Sequence, residues 1–226
     1  MKSVFRKFMA LIFFFSILCT AGAAYAADRW VYMGKEEGME GYYDTQTARY
    51  DRSGNTVTYW FRWTTDGKPS SLDYITVDLS TKEYSMPKYA VYQKYGNPKI
   101  YTNTAGYVSP VPPDSTIEKT VDAICDAYRV PHMYPNKEHR WTWIYSDDRK
   151  DIYLANDAYS VNGIDSKVTV WIKETYLSGW TGVFRCIVDL DGQTIEEHTK
   201  GVATVAVLPD TMEEAIYNKA KEMAGK

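Results

Sequence analysis

The sequence has few of the residues that most often carry catalysis or bind metals. It contains three histidines and three cysteines in 226 residues, and it lacks the glycine-rich phosphate loop and the nucleophile-elbow motif. His132 and His139 are seven residues apart, a spacing that suits neither one face of a helix nor a zinc finger. A metal site needs three or four convergent ligands. We therefore predict a protein that is not an enzyme and that holds no metal or cofactor.

A long apolar run occurs only at the N-terminus. The basic residues Lys2, Arg6 and Lys7 precede residues 8–18, which are almost wholly apolar. Residues 24–26, Ala-Tyr-Ala, then have the form of a cleavage site. The run is shorter than the about 20 residues that cross a bilayer. Residues 1–26 are therefore predicted to be a secretory signal peptide, with an uncleaved anchor as the alternative. The remaining chain is expected in the periplasm or at the cell surface, without spanning the membrane.

The chain also lacks an excess of basic residues. Without the three bases of the predicted signal peptide, 23 of the 26 basic residues stand against 29 acidic ones, a formal net charge of −6. A nucleic-acid partner requires a dense basic surface that displaces counterions, so we predict no nucleic acid. A protein or glycan partner remains compatible with this charge.

The sequence does contain an internal repeat. Four features recur at a constant offset of 111 residues: Trp30 as Trp141, Tyr42 as Tyr153, VTYW at 57–60 as VTVW at 168–171, and VDL at 77–79 as 188–190. Pro-Asp-Ser at 113–115 recurs as Pro-Asp-Thr at 209–211, an offset of 96. The first copy therefore has 15 additional residues, which fall within residues 85–111. We predict repeat one at 27–128, a linker at 129–138 that contains two prolines, and repeat two at 139–226.

Each repeat is predicted to form an antiparallel sheet followed by a helix. In VTYWFRW, residues Val57, Tyr59 and Phe61 would face one side of the sheet. Trp60 and Arg62 would face the other side. Ser115 with Glu118, and Thr211 with Glu214, form capping boxes that open the two helices. The predicted fold class is α+β, with two tandem repeats, each an antiparallel sheet of about four strands or more followed by one C-terminal helix.

The order of these motifs resembles that of the surface-adhesin protein E family. Each repeat has an opening Trp, a Tyr before a turn, a V-T-x-W strand and a Pro-Asp-Ser/Thr-x-x-Glu helix start. The resemblance covers both repeats and implies small exported bacterial domains, of which one member binds host matrix and plasma proteins. It predicts an exported binding protein of the bacterial cell envelope, an adhesin for host or matrix macromolecules. The alternatives are a structural envelope protein or homo-oligomer subunit without a host ligand, and an unrecognised periplasmic hydrolase.

The resemblance also bears on the two cysteines that follow the signal peptide. In the family pattern, a strand cysteine pairs with a helix cysteine of the same domain. This chain keeps the helix cysteine of repeat one, Cys125, and the strand cysteine of repeat two, Cys186, with Ile75 and Lys221 at the other two positions. One hypothesis is that the helix of repeat one packs on the sheet of repeat two and that Cys125 bonds Cys186. The alternative is two separate buried thiols.

Two surfaces are candidate binding sites. The first is the outer sheet face that carries Trp60 with Arg62 and Trp171 with Lys173, because a cation beside an aromatic ring suits protein or glycan contacts. Its alternative is a face that is covered by the protein itself. The second candidate is the tyrosine-rich segment within residues 85–111, where repeat one is longer than repeat two. Its alternative is two further strands of the first sheet. The tyrosines of that segment are Tyr89, Tyr92, Tyr95, Tyr101 and Tyr107.

Overall fold

The computed structural model describes residues 29–36, 38–93, 98–197 and 203–225. The predicted signal peptide lies outside these residues. The described chain has an α+β fold with two antiparallel sheets and two α-helices, which confirms the predicted fold class at this level.

The first sheet contains eight strands in the described residues. In chain order, β1 to β8 are Trp30–Glu36, Met39–Asp44, Arg49–Asp51, Thr56–Thr65, Lys68–Asp78, Glu83–Val91, Lys99–Thr102 and Val108–Pro110. The spatial order is β1-β2-β4-β5-β6-β7, with β3 paired to β4 and β8 paired to β6. The helix α1, Thr116–Tyr128, follows in the chain.

The second sheet contains seven strands in the described residues. In chain order, β9 to β15 are Trp141–Ser146, Lys150–Ala155, Ser160–Asn162, Lys167–Tyr176, Thr181–Asp189, Thr194–Glu197 and Ala203–Ala206. A single 3-10 turn, Lys137–His139, precedes β9, and helix α2, Met212–Met223, follows β15. The spatial order is β15-β14-β13-β12-β10-β9, with β11 paired to β12.

The strand register repeats with the same 111-residue offset as the sequence. Trp30 is opposite Asp44 in β1–β2, and Trp141 is opposite Ala155 in β9–β10. Both hairpins contain a β-bulge at the same place, immediately after the pairs Tyr32–Tyr42 and Trp143–Tyr153. A bulge places one additional residue in one strand and changes which side chains share a face. The similarity of the repeats therefore extends to this irregularity.

The insertion of repeat one forms an additional hairpin. Ser85 is opposite Val108 in β6–β8, and Glu196 is opposite Thr204 at the corresponding place in β14–β15. The residues between this pair include the end of β6 and the strand β7, which pair with each other from Lys88–Thr102 to Val91–Lys99. The tyrosine-rich segment thus adds strand structure to the first sheet, which is the alternative given above to a binding surface.

Helix α2 and the second sheet enclose a hydrophobic core. The alternate residues of β12, Val168, Val170 and Ile172, are fully buried and pack with Ile216 and Ala220 of α2. In the first sheet the predicted inward residues Val57, Tyr59 and Phe61 are likewise buried. Alternation along β4 therefore separates a buried face from a partly exposed outer face.

Both helices begin with the predicted capping boxes. The Ser115 hydroxyl accepts a hydrogen bond from the Glu118 amide, and the Thr211 hydroxyl accepts one from the Glu214 amide. Each glutamate carboxylate in turn accepts a hydrogen bond from the amide of the aspartate before the cap, Asp114 or Asp210. These reciprocal bonds satisfy amide groups that a helix start otherwise leaves unpaired.

The described chain divides into two compact units. The first unit contains the residues up to Arg49, Thr58–Thr76 and Met86–Gly106. The second contains Tyr50–Val57, Val77–Ser85 and the chain from Tyr107 onward, including both helices. The division into repeats at 27–128 and 139–226 is a division by sequence similarity and stays a prediction.

The two cysteines are both buried free thiols. Cys186 belongs to the core between the second sheet and α2, where Ile216 and Ala220 cover it. The helix packed on this sheet face is therefore α2, whereas the hypothesis of a Cys125–Cys186 bond placed the helix of repeat one there. The structure contains the alternative, two separate thiols. Burial raises the pKa of Cys125 to about 11 and that of Cys186 to about 12.

Candidate binding sites

The outer face of the first unit carries a row of aromatic side chains that ends in a cation. We call Trp30, Tyr32, Tyr42 and Arg62 the first aromatic row. Tyr32, Tyr42 and Arg62 lie directly opposite one another on β1, β2 and β4, and Trp30 is two residues from Tyr32 on the same strand. The Arg62 guanidinium carbon lies 4.4 Å from the centre of the Trp30 ring and 5.0 Å from that of Tyr42. The cation is therefore held between two rings.

The second unit contains the same arrangement with different residues. We call Trp141, Trp143, Tyr153 and Lys173 the second aromatic row, and each member lies 111 residues after its counterpart in the first row. The Lys173 ammonium lies 4.5 Å from the centre of the Trp141 ring and 5.3 Å from that of Tyr153. Burial lowers the pKa of Lys173; nearby Asp114 raises it, and Arg140 lowers it further.

One aromatic ring of each row projects into solvent. Tyr32 is 53% exposed and Trp143 is 58% exposed. The Tyr32 and Tyr42 rings meet edge to face with centres 5.4 Å apart. The exposed ring in each row thus lies on an edge strand, β1 or β9, next to a packed ring on the neighbouring strand.

Hydrogen bonds fix several members of the rows. The Tyr42 hydroxyl donates to Glu40 at 2.9 Å, and this bond is the main reason that the pKa of Tyr42 is raised. The Trp143 indole N–H donates to the Ser146 hydroxyl at 2.8 Å, and that hydroxyl donates to the carboxylate of Asp151. The orientation of the exposed Trp143 ring is therefore set by the protein.

A buried ionic cluster fixes Trp141 at the start of the second row. Arg140 is 1% exposed and binds Glu118 through two hydrogen bonds of 2.9 and 2.7 Å. Its Nε donates to Asp157, and its Nη1, which also donates to Glu118, donates to Asp114. The other oxygen of Asp114 accepts a hydrogen bond of 2.7 Å from the Trp141 indole N–H. Burial lowers the pKa of Arg140, but the bonds to Glu118 and Asp157 raise it, and the net direction is upward.

Of the four residues predicted for the outer sheet face, two belong to the aromatic rows and two are packed tryptophans. Arg62 and Lys173 are the cations of the two rows. Trp60 is partly buried, with its ring centre 5.2 Å from that of Tyr74. Trp171 is 8% exposed and lines a small cavity of about 80 Å³ together with Tyr134 and Lys82. Sequence reasoning did not assign Tyr32 and Trp143, although the alternation that starts at Trp30 and Trp141 could have identified them.

The tyrosine-rich segment brings two of its five tyrosines together. Tyr89 and Tyr101 are directly opposite on β6 and β7, and their rings stack with centres 5.0 Å apart and planes 13° apart. Tyr107 is 68% exposed, and Tyr92 is partly buried. Tyr95 lies outside the described residues.

Among the described residues, His132 of the predicted linker lies beside two carboxylates. The Nε2 of His132 is 2.8 Å from Asp126, and its Nδ1 is 3.7 Å from the buried Asp122. Within the described part of the chain, no group of three or more histidine, cysteine or acidic side chains could hold a metal ion. Over the same part of the chain, neither helix is long and apolar enough to cross a membrane.

Comparisons with protein-family models, with curated proteins and with solved structures find no match to this chain. The resemblance to the surface-adhesin protein E family therefore rests on the sequence motifs alone.

Proposed function

We propose that the protein is an exported, non-enzymatic binding protein of the bacterial cell envelope that contacts a macromolecule through its two aromatic rows. In this proposal the chain consists of two tandem repeats of the adhesin-E type, each a sheet with its own C-terminal helix. The N-terminal segment directs export to the periplasm or the cell surface. The ligand is a protein or a glycan.

The observation that carries the proposal is the repetition of the rows. Each row places an exposed ring, Tyr32 or Trp143, beside a cation held between two further rings. Core packing does not require a large ring on the solvent side of an edge strand, and exposed aromatic groups with adjacent charges often mark interaction sites. The same positions carry aromatic residues in both repeats although most of the surrounding residues differ.

A binding screen tests this proposal. Purified mature protein would be immobilised and exposed to extracellular-matrix proteins, plasma proteins and soluble polysaccharides, with binding measured by surface plasmon resonance. We expect at least one saturable ligand whose binding is lost in the double variant Tyr32→Ala/Trp143→Ala. The control is Trp180→Ala, because Trp180 is 53% exposed and lies in neither row.

The alternative function as a homo-oligomer subunit gives a different result. Size-exclusion chromatography with light scattering would then show a stable oligomer that the same double variant converts to monomer, and the ligand screen would stay negative. That combination of results would contradict the binding proposal and support a role as a homo-oligomer subunit.

A further inference from the structure

We infer that the second aromatic row binds a neutral glycan chain, with the indole of Trp143 as the platform on which one sugar ring stacks. This inference deepens the proposed function and rests on it, because it names the ligand class of one of the two rows. It concerns the second unit alone, in which all the residues used below are found.

The Trp143 side chain is exposed and is also held in one orientation. A large exposed side chain normally loses rotamer freedom when a ligand orders it, and this loss weakens binding. Trp143 is 58% exposed, yet its indole N–H is bound by Ser146, which Asp151 holds in turn. The ring face is thus oriented before a ligand arrives. Rigid aromatic rings of this kind supply contact area at low entropic cost.

The Trp143 ring and the polar groups around it suit a sugar. The face of an aromatic ring carries partial negative charge and attracts the C–H groups on the flat side of a sugar. Sugar hydroxyls at the rim then need hydrogen-bond partners. Asp151 uses only one of its two carboxylate oxygens in the described hydrogen bonds, so the other can accept from a hydroxyl. Lys173 at the opposite end of the row can donate a hydrogen bond to another hydroxyl.

The length and the charges of the second aromatic row also suit a neutral glycan. Trp143, Tyr153 and Lys173 are directly opposite one another on three neighbouring strands, so the row is about 10 Å long at the usual strand spacing. This length suits two consecutive sugar units. The row carries one cation, Lys173, and carboxylates lie at both ends, Asp151 beside Trp143 and Asp114 beside Trp141. It therefore has no excess of positive charge that would favour an acidic ligand over a neutral one. A protein partner would more often insert anchor residues into a pocket.

The test uses purified mature protein and isothermal titration calorimetry with neutral sugars of one to six units, from glucan, mannan, xylan and chitin series. We expect one series to bind with an affinity that rises from one to two units and that is nearly the same at low and high salt. Salt independence is expected because no counterions are released by a neutral ligand. Acidic oligosaccharides of the same length should bind no better.

Three variants test the role of Trp143. Trp143→Ala should weaken binding at least about tenfold, as expected for the loss of an aromatic anchor. Ser146→Ala keeps the ring but releases it, and should weaken binding about threefold or more through the lost preorganisation. Trp180→Ala should leave the affinity unchanged. Circular dichroism and thermal unfolding check that each variant folds. If Trp143→Ala does not fold, the affinities of Ser146→Ala and Trp143→Tyr test the role of Trp143 instead, and both should be lower than that of the unmodified protein.

The outcomes separate this inference from the proposed function. If no neutral glycan binds but a protein ligand in the earlier screen does, the glycan inference is overturned and the proposed function stands. If neither class binds, both fail. If a glycan binds and neither Trp143→Ala nor Ser146→Ala lowers its affinity, the sugar does not stack on Trp143. Binding that collapses at high salt would overturn the neutral character of the ligand.

Discussion

Arg140 and Glu118 form a bidentate ion pair in which both side chains are almost inaccessible to water, with exposed fractions of 1% and 2%. Glu118 also closes the capping box of α1 through the Asp114 amide. One carboxylate therefore serves a helix start and a buried guanidinium at once. This coupling links the start of α1 to the start of β9, where Trp141 stands.

The first prediction concerns this ion pair. Glu118→Gln keeps the shape of the side chain but leaves the buried Arg140 with less compensating charge. Breaking a buried pair in this way costs about 3–5 kcal/mol of unfolding free energy. Glu214→Gln is the matched control, because Glu214 has the same capping role in α2. Its cost should stay near about 1 kcal/mol. Urea denaturation at neutral pH measures both, and equal costs would show that Arg140 is not the cause.

The second prediction concerns Asp73 and pH. Burial raises the pKa of Asp73 to about 6 from 3.8, although a hydrogen bond from Trp63 opposes the rise. The folded protein then retains a proton that the unfolded chain loses, so its stability falls as pH rises from about 4 to about 6. Asp73→Asn removes this penalty and should stabilise the protein by roughly 1–3 kcal/mol at pH values above that range. Below it, the variant should be nearly neutral.

Denaturation midpoints at acidic and neutral pH check the Asp73 prediction. Asp66→Asn serves as the control, because Asp66 is exposed in the turn between β4 and β5. A gain in stability for Asp73→Asn that is the same at both pH values would contradict the burial argument.

The third prediction concerns Gly41, which faces two aromatic rings. A Cβ atom at Gly41 would lie 2.5 Å from Phe61 and 3.2 Å from Trp63. Gly41→Ala should therefore cost about 1–3 kcal/mol, because packed rings cannot move aside freely. Gly163→Ala should have little effect, since no atom lies within 4 Å of its Cβ position. Thermal unfolding of the two variants compares them, and an unchanged midpoint for Gly41→Ala would contradict the close packing.

The fourth prediction concerns the cysteines. Cys125 and Cys186 are free and buried. Denatured protein that lacks the predicted signal peptide, and with it Cys19, should therefore take up two alkylating groups without reduction. Native protein should take up almost none, because burial hinders access and raises the pKa of both thiols to about 11 and 12. The thiolate is the reactive form. Intact-mass measurement counts the groups, and none added after denaturation would show that the cysteines are bonded.

Much of the fold could be predicted from the repeat offsets and the period of two along the strands. The inward residues Val57, Tyr59 and Phe61 are buried, and both capping boxes form at the predicted residues. These features depend on neighbours in the sequence, which a single chain displays directly.

The aromatic rows could be predicted only in part. The sequence predicts Arg62 and Lys173 as site residues, but the rings that hold them come from other strands. Which strands pair cannot be derived from a local stretch of sequence. The bulges add a second difficulty. Simple alternation would place Tyr145 on the face of Trp141 and Trp143, whereas the bulge sets it opposite the buried Ile152. In repeat two the bulge between Trp143 and Tyr145 contains no glycine or other turn residue, so the change of face cannot be predicted from the local sequence.

The hairpin of the insertion begins and ends at Ser85 and Val108, a directly opposed pair that has its counterpart in Glu196 and Thr204. The strand pairs from Glu83–Pro110 to Ser85–Val108 have the same register as their counterparts in repeat two. Residues of the hairpin can therefore be added, lost or substituted while these pairs are kept. The hairpin of repeat one can therefore vary independently of the strand pairs from which it extends. An altered contact surface can be introduced there by loss or gain of residues, without a new fold and without a new core.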